Sequence, residues 1–232
     1  MRLVTVAGPP SSGKTAVTIK ALSSLMREGA RVGVVKFDSL STQDQSLYEK
    51  QGIPVTTGIS GNLCPDHFFV SNAEDCLTWG VESGFDLLVI ESAGLCNRCA
   101  PHIQGVLAVC VIDNLSGVDT PRKIGPMLKM ADLVVITKGD IVSQAEREVF
   151  AYRVRQVNGP ATILQVNGLT GQGGHELGRL LMSAPETDQL EGRLLRFSMP
   201  AALCSYCLGQ RKIGSDYQMG NVRKMCFQGE LP

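Results

Sequence analysis

The residues best suited to chemistry open the chain. Gly8-Pro9-Pro10-Ser11-Ser12-Gly13-Lys14-Thr15 fits the spacing G-x-x-x-x-G-K-[ST] of a phosphate-binding loop. Its backbone N–H groups and the helix start behind it favour an anion. Lys14 is placed to reach the β- and γ-phosphates of a nucleotide, and the Thr15 hydroxyl to meet Mg²⁺. A second group is the acid Glu91, which ends an apolar run in the Walker B manner and can bind Mg²⁺ directly or through water. Asp38, at the end of another apolar run, is a candidate to orient water or hold Mg²⁺ through water, or else a turn residue. A third group is Thr137-Lys138-Gly139-Asp140, of the form [NT]-K-x-D. The Asp140 carboxylate can accept from guanine N1–H and N2–H, a donor pair adenine lacks. Such a site rejects the wrong partner by roughly 10⁴-fold. Asn167 and Gly168 open a glycine-rich loop placed to touch the base from its other side.

Sulfur is the other resource. Eight cysteines are many for a chain expected in the cytoplasm, where thiols serve metals or redox chemistry more than disulfides. Cys64-Pro65-Asp66-His67, read as a short loop, sets a thiol and an imidazole three positions apart, a pair able to share one metal ion. Cys96-Asn97-Arg98-Cys99, followed by His102, comes directly after Ser92-Ala93-Gly94, a flexible turn beyond Glu91. Two such thiolates can bind Zn²⁺ or Ni²⁺, or supply two corners of an iron–sulfur cluster such as [4Fe-4S]. Cys204-Ser205-Tyr206-Cys207 repeats the C-x-x-C spacing in a locally basic tail, with Cys226 beyond. Cys110 sits mid-strand and reads as core.

Positioning these groups requires alternating strands and helices. Apolar runs at residues 3–7, 31–37, 85–91, 105–113, 133–136 and 161–166 read as buried strands, with a smaller one at 55–57. Helical spacing marks residues 15–25, 75–81, 144–157 and 174–182, with a short helix from Pro121. The expected fold is α/β, a mostly parallel sheet with helices on both faces. Residues 1–184 form the nucleotide domain and residues 185–232 a cysteine-containing extension, with a further strand near 194–197. Neither Lys14 nor Glu91 is expected inside the core. The chain of 232 residues is 44% hydrophobic, with no clean membrane span. Its formal net charge is zero, so no global charge argues for nucleic acid. The first strand begins at the N-terminus, so a secretory signal is not expected.

The order of motifs sharpens this. Ile90-Glu91-Ser92-Ala93-Gly94, Val111-Ile112-Asp113, Pro121-Arg122-Lys123-x-Gly125-Pro126 and Asp132-Leu133-x-Val135-Ile136-x-Lys138-x-Asp140 together closely resemble the urease accessory GTPases of the UreG family. The hydrogenase nickel-insertion GTPases of the HypB family are similar in outline. Cys64-Pro65-Asp66-His67 resembles the UreG Cys-Pro-His metal motif with Asp66 inserted. Cys96-x-x-Cys99 and the tail beyond Pro185 depart from UreG. The resemblance implies a GTP-hydrolysing metallochaperone that serves a client metalloenzyme or its accessory proteins. It also implies a homodimer formed in response to nucleotide or metal. A nucleotide-gated iron–sulfur protein is the alternative. It lacks support in the loop itself, where Pro9-Pro10 stands at the place such proteins carry a further lysine.

Overall fold

The computed structural model describes residues 1–95, 99–197, 209–217, 220 and 222–227. Seven strands form one parallel sheet: β1 (Arg2–Ala7), β2 (Val32–Asp38), β3 (Val55–Ile59), β4 (Leu87–Glu91), β5 (Leu107–Asp113), β6 (Leu133–Thr137) and β7 (Thr162–Gln165). Their order across the sheet is β3-β2-β4-β1-β5-β6-β7. The helices are α1 (Lys14–Arg27), α2 (Asp44–Glu49), α3 (Pro65–Glu82), α4 (Thr120–Lys123), α5 (Pro126–Lys129), α6 (Gln144–Val157) and α7 (Gly174–Met182). No helix among the described residues is long and apolar enough to cross a membrane.

Strand alternation divides the core between two faces. On one, Val4 and Val6 of β1 meet Val17 and Leu22 of α1 and Leu177 and Leu181 of α7. On the other, Leu3 meets Phe68, Phe69 and Leu77 of α3, while Cys110 and Ile112 of β5 meet Phe150 and Val154 of α6. The inner strands are buried on both faces, which is why they read as unbroken apolar runs. In a sheet of this order, ligands sit outside the carboxyl ends of the strands, where neighbouring connections diverge. Here β1 lies between β4 and β5, and the phosphate-type loop leaves its carboxyl end.

The helix expected over 75–81 begins ten residues earlier. Pro65 occupies its first turn, where a missing N–H costs nothing, and Cys64 is the N-cap with extended backbone. Residues 66–73 are buried in succession, Asp66 and His67 included, so this half of α3 shows no polar stripe to betray a helix. Beyond α7 the described chain returns to the α3 face. Leu190, Leu195, Ile213 and Phe227 pack into the cluster that contains Phe68, Phe69 and Leu77. Buried Asn72 of α3 donates to the Arg223 carbonyl at 2.9 Å and accepts from the Met225 amide at 2.8 Å. Around 194–197 the structure has isolated bridges, Ile103 with Leu195 and Leu194 with Lys212, in place of a strand.

Candidate functional site

The loop between β1 and α1 wraps back on its own lysine. Lys14 Nζ donates to the carbonyls of Gly8 and Pro9, each at 2.9 Å. Burial holds the Lys14 ammonium below its ordinary pKa, against the pull of Glu91. Gly8 cannot be replaced without movement, because a Cβ there would lie 2.1 Å from the Val111 carbonyl oxygen. Gly13 caps α1 in the left-handed region and offers no side-chain acceptor. The first N–H groups of the helix are thus left for an anion. Two further bonds brace the loop: Thr137 Oγ1 donates to the Ser12 carbonyl at 2.6 Å, and Lys138 Nζ to the Ser11 carbonyl at 2.7 Å.

Glu91 ends β4 and is 0% exposed, and Lys14 is buried as well, both contrary to the expectation that they stand outside the core. Register explains its surroundings. Lys36 of β2 is its direct cross-strand partner, so both side chains leave the sheet on the same side. Lys36 Nζ lies 2.6 Å from Glu91 Oε1, Thr15 Oγ1 lies 2.8 Å from the same oxygen, and the Tyr48 hydroxyl donates to Oε2 at 2.5 Å. Asp44, opening α2, completes the group: its Oδ2 is 2.8 Å from Lys36 Nζ and 2.9 Å from Thr15 Oγ1. The single Thr15 proton serves one acid at a time. Burial pulls the Lys36 pKa down, yet Glu91 and Asp44 outweigh it and the net direction is up. Burial opposes ionisation of Asp44, but the hydrogen bond from Lys36 wins and its pKa falls.

Asp38 does not join this group as placed. Its Oδ1 accepts from the Ser39 amide at 2.8 Å, and the acid bonded to Thr15 is Asp44, six residues on. Asp44, Lys36 and Tyr48 escape a motif reading. The signal available was a lysine inside a strand otherwise buried and apolar, which must find an acid. The oxygen donors assembled here, a hydroxyl and two carboxylates, suit a hard cation such as Mg²⁺.

The Ser92-Ala93-Gly94 turn beyond Glu91 runs against the loop. Gly94 has φ +75°, and a Cβ on it would fall 1.8 Å from the Gly8 carbonyl oxygen and 3.0 Å from Lys14 Nζ. At the far end, Lys138 takes a left-handed conformation, and Asp140 lines a cavity with Gly139, Arg147, Gln165, Val166, Asn167 and Gln172. Asn167 Oδ1 accepts from the amides of Leu169 and Thr170, which fixes the glycine-rich loop beside α1. Gly168 abuts Ala16. Arg147 and Gln172 share this cavity with Asp140 and Asn167 and belong to no motif in the sequence.

The sulfur candidates are only partly gathered. Cys64 and His67 lie at the N-terminus of α3, the histidine buried, and Cys99 is buried in the cluster beneath α3. Asp66, the inserted residue, is buried beside them, and burial pushes its carboxyl up to about 7 against the pull of Lys14. Among the described residues no three His, Cys, Asp or Glu side chains lie close enough together to hold a metal ion. Cys96, Cys204 and Cys207 lie outside the described residues. Cys110 is core as expected, its thiol pushed up to about 12 by burial.

His102 is also core. Its Nδ1 meets Thr5 Oγ1 at 2.9 Å and its Nε2 meets the Met127 carbonyl at 3.2 Å. A carbonyl only accepts, so Nε2 carries a proton, and in the neutral ring Nδ1 accepts from the Thr5 hydroxyl. Burial lowers its pKa to about 4. The unfolded chain, with an imidazole near 6.5, binds that proton first, so stability is lost as pH falls from about 6.5 to about 4, by about 3 kcal/mol in full. Because Asp66, raised to about 7, gains stability over the same range, the test is the difference: as pH falls, denaturant midpoints of the native chain should drop relative to those of His102→Gln, and parallel curves would refute the assignment.

The CobW/HypB/UreG nucleotide-binding domain family matches residues 2–165. An uncharacterized protein of Methanocaldococcus jannaschii is 46% identical over 234 residues, covering 99% of this chain and all of that one. The urease accessory protein UreG of Yersinia enterocolitica is 30% identical over 192 residues, 76% of this chain and 86% of that one. The structure of HypB from Helicobacter pylori in complex with nickel superposes with a TM-score of 0.64 at 19% identity, covering 82% of this chain and 91% of that chain, a likeness of fold. With the loop, the Walker B acid and the parallel sheet in place, the chain belongs to the CobW/HypB/UreG family of P-loop nucleotide-binding domains.

Proposed function

We propose that the chain is a GTP-hydrolysing metallochaperone that delivers a transition metal, nickel being the first to test, to a client metalloenzyme. The observation that carries the reading is the convergence of Thr15, Asp44 and Glu91 beside Lys14, at the mouth of a loop that Thr137 and Lys138 of the T-K-x-D segment each brace by one hydrogen bond. Lys14 and the amides of residues 8–15 bind phosphate. Thr15, Asp44 and Glu91 hold Mg²⁺, which when bound supplies positive charge to the β- and γ-phosphates. The second-acid role first assigned to Asp38 passes in this reading to Asp44. Asp140 selects guanine, with Lys138 along the base and Asn167 and Gly168 beside it. Turnover without a partner is slow, on the order of 10⁻⁴ to 10⁻² s⁻¹. The relative named as a urease accessory protein, and the neighbour named as HypB in complex with nickel, support a metal cargo. Cys64, His67, Cys96 and Cys99 are its candidate ligands, with Cys204 and Cys207 as reserves. A two-fold dimer doubles whatever ligands one subunit offers.

The test is to titrate Ni²⁺ and Zn²⁺ into the chain loaded with GDP or with a non-hydrolysable GTP analogue. The expected result is near-stoichiometric metal whose affinity differs between the two states, and reciprocally a metal-dependent nucleotide affinity. Equal metal affinity in both states removes the carrier role. Preference for ATP over GTP removes the guanine assignment.

A further inference from the structure

Lys36 is a cation built into the sheet at the place where the nucleotide site needs positive charge. Its neighbours Val35 and Phe37 are fully buried on the opposite face, and its own side chain is almost wholly enclosed. A buried ammonium is costly unless paired and hydrogen-bonded. Here it contacts two carboxylates, Glu91 at 2.6 Å and Asp44 at 2.8 Å, through the same two oxygens that Thr15 approaches. With Lys14 nearby, two ammonium groups face two carboxylates and the site is neutral before any ligand arrives. Without Lys36 the pair of acids would outweigh Lys14, and a phosphate would have to approach a negative site. In P-loop proteins the charge that settles this repulsion is Mg²⁺.

Resting on the nucleotide-site reading above, we propose that Lys36 is a built-in counter-ion of the phosphate site and frees nucleotide binding from dependence on Mg²⁺. The acids then need no divalent ion to tolerate a diphosphate. Mg²⁺ itself meets a weakened attraction, because both of its carboxylate ligands are shared with a fixed cation that cannot leave the strand. Asp44, whose side chain is 29% exposed, is the acid open to an arriving ion, whereas Glu91 is held on both oxygens by protein donors.

The experiment measures the affinity of the full chain for N-methylanthraniloyl GDP by fluorescence, in excess EDTA and in saturating MgCl₂. The native chain should show less than about a tenfold difference, at the low end of couplings between linked sites. Lys36→Gln should widen the difference to more than about fiftyfold, chiefly through weaker binding in EDTA, and Lys36→Arg should keep it narrow. A native difference above about tenfold overturns the proposal however the variants fold. So does a Lys36→Gln protein of native melting temperature with an unwidened difference. Absence of GDP binding in both conditions would instead bring down the nucleotide-site reading, and this inference with it.

Discussion

Replacing Lys14 by alanine is expected to lower GTP turnover by about 10²- to 10³-fold, the loss seen when one fixed donor to a developing charge is removed. The fold should survive. Among the described residues the ammonium bonds the carbonyls of Gly8 and Pro9, and the loop keeps its braces from Thr137 and Lys138. Phosphate release under saturating GTP, with a melting curve beside it, decides the matter. Turnover within about tenfold of native at native stability would remove Lys14 from the phosphate site. Glu91 offers no such clean test. Its removal takes the carboxylate acceptor from the buried Tyr48 hydroxyl and leaves Lys36 with Asp44 alone, so lost activity and lost stability would be mixed, the unpaired hydroxyl alone costing about 1–3 kcal/mol.

The second large effect is at the base. In Asp140→Asn the preference for GDP over ADP should fall by at least about 10²-fold, since the site loses the acceptor pair that rejects adenine. Asparagine presents one acceptor oxygen and sets an N–H₂ against guanine's own donors. The same amide suits a base with a carbonyl at that position, so xanthosine diphosphate should gain affinity as GDP loses it. Competition against a fluorescent nucleotide measures all three. An unchanged GDP-to-ADP ratio would place guanine selection elsewhere, with Arg147 and Gln172 of the same cavity the next residues to change.

What the sequence discloses here is what is local in it. The phosphate loop is eight consecutive residues, and the strands declare themselves because the sheet is covered on both faces. The acids and cations around Glu91 come from β2, α2 and β4, separated by dozens of residues and joined only by strand register. Lys36 opposite Glu91 is invisible until β2 is known to lie beside β4. Asp38 attracts notice because it ends a strand, but the chain turns there, and the helix that begins at Asp44 carries the acid back to Thr15. The early turns of α3 hide for the opposite reason: a helix buried on nearly every side has no polar stripe.

The packing of the tail on α3 bears on how the chain acquires its structure. All seven strands are complete by Gln165, but one side of the sheet is finished by residues that leave the ribosome later, Leu190, Leu195, Ile213 and Phe227. Asn72 waits for partners about 150 positions downstream. During synthesis the side of α3 that carries Asn72 and Trp79, the latter stacked on Phe227 at 6.0 Å in the finished chain, therefore has a built sheet behind it and no cover in front, the condition under which nascent chains recruit chaperones or aggregate. A chain cut short after α7 would keep that face for its lifetime, and quality control would meet it as a misfolded protein although its nucleotide loop is whole.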